Sequence, residues 1–404
     1  MDAQPGSFGL VSVHIPPPAQ SNDLFIGLNL LYVRWVLTDR EQQILDLLRR
    51  DPLMGSEALA AALGTTRASI NVHISNLGKK GAILGRGYVL AESPGAVVIG
   101  GANMDLKARS RTRATQHTSN PGHASMSPGG VGRNIAENLA RLGNRVHLVS
   151  VVGRDPLGEN LLNHTAAAGV RIEHVARTDR PTGTYTAVLD VDGELIVAIA
   201  DMDATAELGP DQLQAARDVI ATAGLLVVDG NLGLEALEHA LDLSTCVRTL
   251  FEPVSVPKAA GLKAALDGRI FAVTPNRDEL AALTDLPTRT DKQVRTATAA
   301  LHQRGVELVW IRMGERGSWL STTEELIEIP ALPTRVEDVT GAGDSMLAAF
   351  CHVLLEGGSP EQAALFGHAA AALTIASPHT VRPDLTPRLI RAALDSAARD
   401  DKEL

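Results

Sequence analysis

A three-layer α/β/α sandwich with a small β-sheet lid, preceded by a small helical domain, is the fold class this sequence predicts. From Ala96 onward, apolar runs such as "AVVIG", "GLLVVDG", "RIFAVTPN" and "LVWIRMG" end in glycine or polar residues and alternate with helical stretches such as "VGRNIAENLARLG". That alternation marks a mostly parallel sheet covered on both faces, with a ligand site at the carboxyl ends of its strands. Two polar, strand-like segments, 107–128 and 182–202, break the rhythm, and the second alternates around an Asp192-Gly193 turn, a hairpin signal. They predict the lid sheet. Residues 38–92 carry a helical apolar rhythm instead.

The size and charge of the chain fit this division. At 404 residues it is too long for one small core. Residues 1–92 hold 8 Lys and Arg against 8 Asp and Glu, so the rest of the chain carries the whole net charge of −10. A large acidic domain is a poor general binder of nucleic acid, so DNA contact is expected only from the small neutral domain. Aromatic residues make up 3%, too few for widespread stacking on bases. Cys246 and Cys351 are far apart in sequence and in apolar contexts, which argues against a disulfide framework or a zinc site.

Residues 1–37, with "IPPPAQSND", read as a disordered leader. Within them "LFIGLNLLYVRWVL" (24–37) is apolar but shorter than the ~20 residues of a membrane span, and Arg34 interrupts it. The pattern of a secretory signal is missing, so the expected location is cytoplasmic, with no membrane partner.

In the small domain, "TDREQQILDLL" opens with Thr38 and Glu41 at capping-box spacing and turns Ile44, Leu47 and Leu48 to one face. "GSEALAAALG" gives a second short helix begun by Ser56 and stopped by Gly64. "TTRASINVHISNLGKKG" gives a third with Ile70, Ile74 and Leu77 inward, and "AILGRGYVL" reads as a hairpin around Gly85-Arg86-Gly87. Three short helices and a hairpin resemble a winged helix-turn-helix domain. The resemblance implies that Arg67, Ser69, Asn71 and His73 face the major groove of a DNA operator, with Lys79, Lys80 and Arg86 placed for phosphates.

The chemistry of the large domain centres on "DVTGAGD" (338–344), a glycine-rich turn running into an alanine-rich helix. A helix N-terminus gathers unpaired N–H groups and the positive end of the dipole, so it attracts anions, and Gly341 and Gly343 let the backbone come close to one. Asp344, one residue further on, is placed to accept a hydroxyl proton. Phosphoryl transfer asks for both features. The chain has no G-x-x-x-x-G-K-[ST] motif, which excludes a Walker-type phosphate loop.

"GGANMDL" (100–106), "GGVGRNIAENLARLG" (129–143), "TPNRDE" (274–279), "RMGERG" (312–317) and "DVTGAGD" follow one another in an order that resembles the ribokinase-like, or PfkB-type, kinase family over residues 96–395. The resemblance implies an ATP-dependent kinase of alcohol groups. Asp344 would be the catalytic base, and Gly341, Ala342 and Gly343 the anion hole. Asp105, at the end of the first strand, would hold sugar hydroxyls together with Asn103, Gly129, Gly130 and Asn134. Asn276 and Glu279 form an N-x-x-E motif that would support Mg2+ and phosphate through water. Arg312, Gly314 and Gly317 would approach ATP, and Asp338 and Thr340 would supply oxygens to a monovalent cation, K+.

Within the family the segments "GGANMDLKARS", "TYTAVLDVDGELIVAIADM" and "EPVSVPK" resemble the pseudouridine kinase branch. Val131 and Arg133 stand where typical ribokinases have lysine and alanine, and Glu252 replaces the aspartate usual in the branch. The resemblance makes Ser119 and Thr184 candidates for contacting a uracil ring. The expected activity is phosphorylation of the 5′-hydroxyl of pseudouridine by a homodimer. Inosine, uridine or ribose are alternative acceptors, and a ligand-sensing transcription regulator built on a kinase fold is the alternative function.

Overall fold

The computed structural model describes residues 37–51, 53–84 and 95–400. The chain forms two compact units, Met1–Glu92 and Ser93–Leu404.

The first unit contains helices Asp39–Arg50, Ser56–Ala62 and Arg67–Lys79. Thr38 and Glu41 make the expected capping box, Glu41 Oε2 accepting from the Thr38 N–H at 2.7 Å. Ile44, Leu45, Leu48, Leu59, Ile70 and Leu77 are fully buried together, while Leu47 and Ile74 lie at the rim of this core. Thr66 caps the third helix. Arg67 and Asn71 are exposed, and Ser69 and His73 are partly buried. Lys80, expected among phosphate-contacting residues, is committed instead to the buried Glu41 carboxylate at 2.6 Å. An unpaired carboxylate there would be costly, so the ammonium is drawn inward. Arg86 and the hairpin of residues 82–90 fall largely outside the described residues.

The second unit is built on a nine-stranded sheet. Its strands are β1 (Ala96–Ile99), β4 (Val146–Gly153), β5 (Arg171–Thr178), β8 (Leu225–Asp229), β9 (Thr249–Glu252), β10 (Ile270–Val273), β11 (Leu308–Arg312), β12 (Ser318–Ser321) and β13 (Leu326–Ile329). They are ordered β13-β12-β11-β10-β9-β8-β1-β4-β5, with β12 antiparallel to both β11 and β13 and every other neighbouring pair parallel. Both faces are covered, and side chains alternate between two cores. Val97, Ile99, Leu226, Val228, Val309 and Ile311 join one, and Ala96, Val98, Leu225, Val227, Leu308 and Trp310 the other. This period-2 division is why the strands read as continuous apolar runs.

A second sheet holds β2 (Asn103–Ser110), β3 (Gly122–Gly129), β6 (Thr184–Leu189) and β7 (Leu195–Asp201) in the order β3-β2-β6-β7. Its strands come from the two segments that interrupt the main rhythm. Asp190 and Gly193 close the β6–β7 turn, with Gly193 at φ 86°. Asp105 does not end the first strand, because Gly100 and Gly101 break β1 and the chain crosses to the second sheet, where Asp105 is the third residue of β2. The uninterrupted apolar texture of "AVVIGGANMDL" concealed this change of sheet. Cys246 is exposed rather than in an apolar setting, and Cys351 is buried. Among the described residues no helix is long and apolar enough to cross a membrane.

Candidate active site

Asp229, Glu252 and Arg312 are the last residues of β8, β9 and β11. Parallel register sets Asp229 beside Glu252, and an isolated bridge sets Asn276 beside Arg312. The carboxyl ends of the strands thus deliver charged groups to one place, as the topology requires. Helix Ala342–Leu355 begins there. Its N-cap Gly341 adopts φ 78°, and a Cβ at that position would drive into the carbonyl oxygen of Thr380. Only glycine makes this turn without strain. Gly341→Ala is expected to lower stability by roughly 1–3 kcal/mol, read as a fall in the thermal unfolding midpoint, and to reduce turnover with it.

Asp344 lies in the first turn of that helix, partly buried. Its Oδ2 accepts from Asn134 Nδ2 at 2.7 Å. Burial pushes the Asp344 carboxyl up to about 7, with the Glu252 and Asp229 charges adding to the rise and the Asn134 hydrogen bond and Arg312 opposing it. A carboxyl titrating there is matched to taking a proton near neutrality.

Asn134 is held in turn. Arg133 donates to Asn134 Oδ1 from Nη2 at 2.7 Å and from Nε at 3.2 Å, and to Glu137 Oε2 at 2.6 Å. Arg141 Nη2 binds the other Glu137 oxygen at 2.5 Å. Only one orientation of the Asn134 amide accepts from the guanidinium and donates to Asp344. Arg133 is 2% exposed, so its charge is tolerated only because Glu137 and Asn134 satisfy it.

Arg312 sits under the cradle formed by the Gly341–Gly343 turn. A Cβ on Gly343 would lie 2.7 Å from Arg312 Nη1, while Nη2 donates to Glu252 Oε1 at 2.7 Å and Glu279 Oε2 at 3.0 Å. The two carboxylates raise the guanidinium's affinity for its proton in spite of burial. Glu252 Oε2 also accepts from Thr274 Oγ1 at 2.5 Å. Asn276 and Glu279 form a capping box on helix Arg277–Thr284. The N-x-x-E spacing therefore has a local structural job as well as a place beside the cradle. Gly314 and Gly317, at φ 62° and 89°, shape the turn between β11 and β12.

At the start of β2, Asn103 Nδ2 donates to Asp105 Oδ1 at 2.8 Å. Burial raises the Asp105 carboxyl against that hydrogen bond and the nearby Lys107 and Arg133 charges. Gly129 packs on the Asp105 carboxylate so closely that a Cβ would overlap it, and Gly130 takes φ 96° against Gly101. Thr184 pairs with Met104 at the start of β6, whereas Ser119 is exposed in the loop between β2 and β3. Asp338 and Thr340 lie together, Asp338 Oδ1 accepting from the Thr340 N–H at 2.8 Å and its hydroxyl at 2.6 Å.

Asp229 and Lys107 carry no role of their own in the sequence pattern, and Arg133 stands out there only as a departure from typical ribokinases. Asp229 is fully buried, and its Oδ2 accepts from the N–H groups of Gly101 at 2.9 Å and Gly132 at 2.7 Å. It ties the end of β1 to the start of helix Val131–Arg141. The available signal was a carboxylate closing the apolar run "LLVVD" at a strand's carboxyl end.

Residues 93–387 match the family model described as pfkB family carbohydrate kinase. The chain is 37% identical over 354 residues to the uncharacterized sugar kinase YeiI of Escherichia coli, covering 87% of this chain and 97% of that protein. That alignment is longer than residues 93–404, so it extends into the first unit. The pseudouridine kinase of Escherichia coli is 32% identical, over 76% of this chain and 99% of its own. Among solved structures, the Arabidopsis thaliana ribokinase complexed with ribose and ATP superposes with a TM-score of 0.67 at 25% identity, over 75% of this chain and 99% of that chain. The family model spans well over half of the chain and the two relatives are matched over nearly their whole length, so the chain belongs to the pfkB family of carbohydrate kinases.

Proposed function

We propose that this kinase transfers the γ-phosphoryl group of ATP to the 5′-hydroxyl of pseudouridine, giving pseudouridine 5′-phosphate and ADP. The observation that carries the reading is Asp344, poised near neutrality at the mouth of a glycine turn and oriented by Asn134. Asp105 and Asn103 take the ribose hydroxyls, a carboxylate beside an amide, with Gly129 and Gly130 allowing close approach. Asp344 accepts the 5′-hydroxyl proton as the oxygen bonds to the γ-phosphorus and the bond to the ADP oxygen breaks. Gly341 and Gly343 present backbone N–H groups to the charge on the transferring group, while the Ala342 N–H donates to the Val339 carbonyl at 3.3 Å and holds the turn between them. Asn276, Arg312, Gly314 and Gly317 face the nucleotide. Among the described residues no three His, Cys, Asp or Glu side chains are grouped to hold a metal directly. Glu279 and Glu252, hard oxygen donors that share Arg312, would hold Mg2+ through water, and the ion would offset charge on the phosphoryl group. The lid sheet excludes water from the reacting phosphoryl group.

The likeness to pseudouridine kinases of Escherichia coli and, at 27% identity, Arabidopsis thaliana supports the acceptor. A coupled ADP-release assay with pseudouridine, uridine, inosine, adenosine and ribose tests it. Turnover confined to pseudouridine is the expected result. Preference for another riboside would replace the substrate and keep the mechanism. Leu195, Ile196, Val197 and Ile199 of β7 are exposed, which supports a homodimer through the second sheet.

The first unit is proposed as a winged helix-turn-helix regulator reading an operator through Arg67, Ser69, Asn71 and His73. Its independent core and the exposure of Arg67 and Asn71 support this. DNA affinity at fixed salt that rises or falls when MgATP and acceptor are added would couple the two units.

A further inference from the structure

Lys107 follows Asp105 by two residues on β2, so strand periodicity sends its side chain to the same face as Asn103 and Asp105. Its Nζ reaches Asp338 Oδ2 at 3.1 Å and Thr340 Oγ1 at 3.4 Å. The other Asp338 oxygen already accepts from the Thr340 N–H and hydroxyl. Burial works to raise the Asp338 carboxyl, but the Thr340 hydrogen bonds and the Lys107 ammonium hold it below the ordinary carboxylate range.

The family resemblance places a monovalent cation on Asp338 and Thr340, and the residues present do not fit that occupant. A compact unit positive charge with three hydrogen-bond donors already sits on their oxygens. It is carried on the chain itself, so a dissolved cation competes against a partner at high effective concentration. A second cation beside the ammonium would also meet like charge at short range.

We propose that Lys107 supplies the single positive charge at the Asp338–Thr340 turn, so that this kinase works without a dissolved monovalent cation. The turn runs directly into Gly341 and Asp344, so the ammonium fixes the cradle from the lid sheet. One strand then serves both halves of the reaction, with Asn103 and Asp105 on the acceptor and Lys107 on the phosphoryl cradle. This rests on the kinase reading above, and it goes beyond that reading in naming what occupies the turn.

The test uses the full chain with MgATP and pseudouridine in potassium chloride and, at equal ionic strength, in tetramethylammonium chloride. Wild type is expected to turn over equally in both salts. Lys107→Met is expected to lose about tenfold in tetramethylammonium and to recover in potassium. Lys107 is 31% exposed, so its loss should leave the fold intact. Thermal unfolding with MgADP in the same salts reads cation binding without any acceptor. Potassium should stabilise Lys107→Met and not wild type. If no acceptor turns over, the unfolding comparison still decides the cation question, which separates failure of the substrate reading from failure of this one. Potassium activation or stabilisation of wild type, or a Lys107→Met variant indifferent to potassium in both measurements, would overturn the proposal.

Discussion

Asp344→Asn is expected to cut turnover by about 10²–10⁴-fold, the range for losing a general base, while MgATP binding is retained. The amide is nearly isosteric and accepts the same Asn134 hydrogen bond through its oxygen. In wild type, kcat/KM should rise with pH through about 7 as the carboxyl ionises. The same titration has a consequence for stability. A folded-state pKa raised above its unfolded value contributes stability below the unfolded pKa, and that contribution is lost as pH rises through the folded one. The ionised Asp344 therefore strains the fold above pH 7, and Asp344→Asn should melt higher than wild type at pH 8, with the gap narrowing towards pH 5. A variant that keeps its activity, or a pH profile flat through 7, would remove Asp344 from the role of base.

Arg133→Met should have the next largest effect, on stability and chemistry together. It breaks a buried pair and leaves Glu137 with Arg141 alone, a change that costs about 3–5 kcal/mol in buried settings. It also frees the Asn134 amide to rotate, so its oxygen can face Asp344. Repulsion between the two oxygens would then raise the Asp344 carboxyl further. The midpoint of the kcat/KM profile is expected to move to higher pH, a shift that a purely structural role would not produce. Arg133→Lys keeps the charge without the planar fork and should recover stability more than the pH midpoint. An unchanged midpoint in a folded Arg133→Met protein would show that Asn134 needs no such orientation.

The local chemistry was legible in the sequence. Thr38 with Glu41 and Asn276 with Glu279 stand three residues apart, and each pair caps its own helix. The "DVTGAGD" run announced a tight turn before a helix, because a left-handed φ and an acidic first turn are decided within a few residues. The parallel sheet was legible because strands buried on both faces must be apolar throughout. The same rule hid the break after Ile99, since a buried crossing between sheets is apolar too.

What only the tertiary structure decided is which distant residues meet. Asp229 accepts from Gly101 and Gly132, Asn134 reaches Asp344, and Lys107 reaches Asp338 across more than two hundred residues. No spacing rule encodes such pairs, because they follow from strand order, and strand order is set by how the whole sheet packs. The sequence by itself determined the elements, the caps and the glycine turn at Gly341 through local backbone preference and apolar periodicity. Packing determined that Asp344 titrates near neutrality, that Arg133 steers Asn134, and that an ammonium sits on the turn, because burial and long-range charge exist only once the chain has closed on itself.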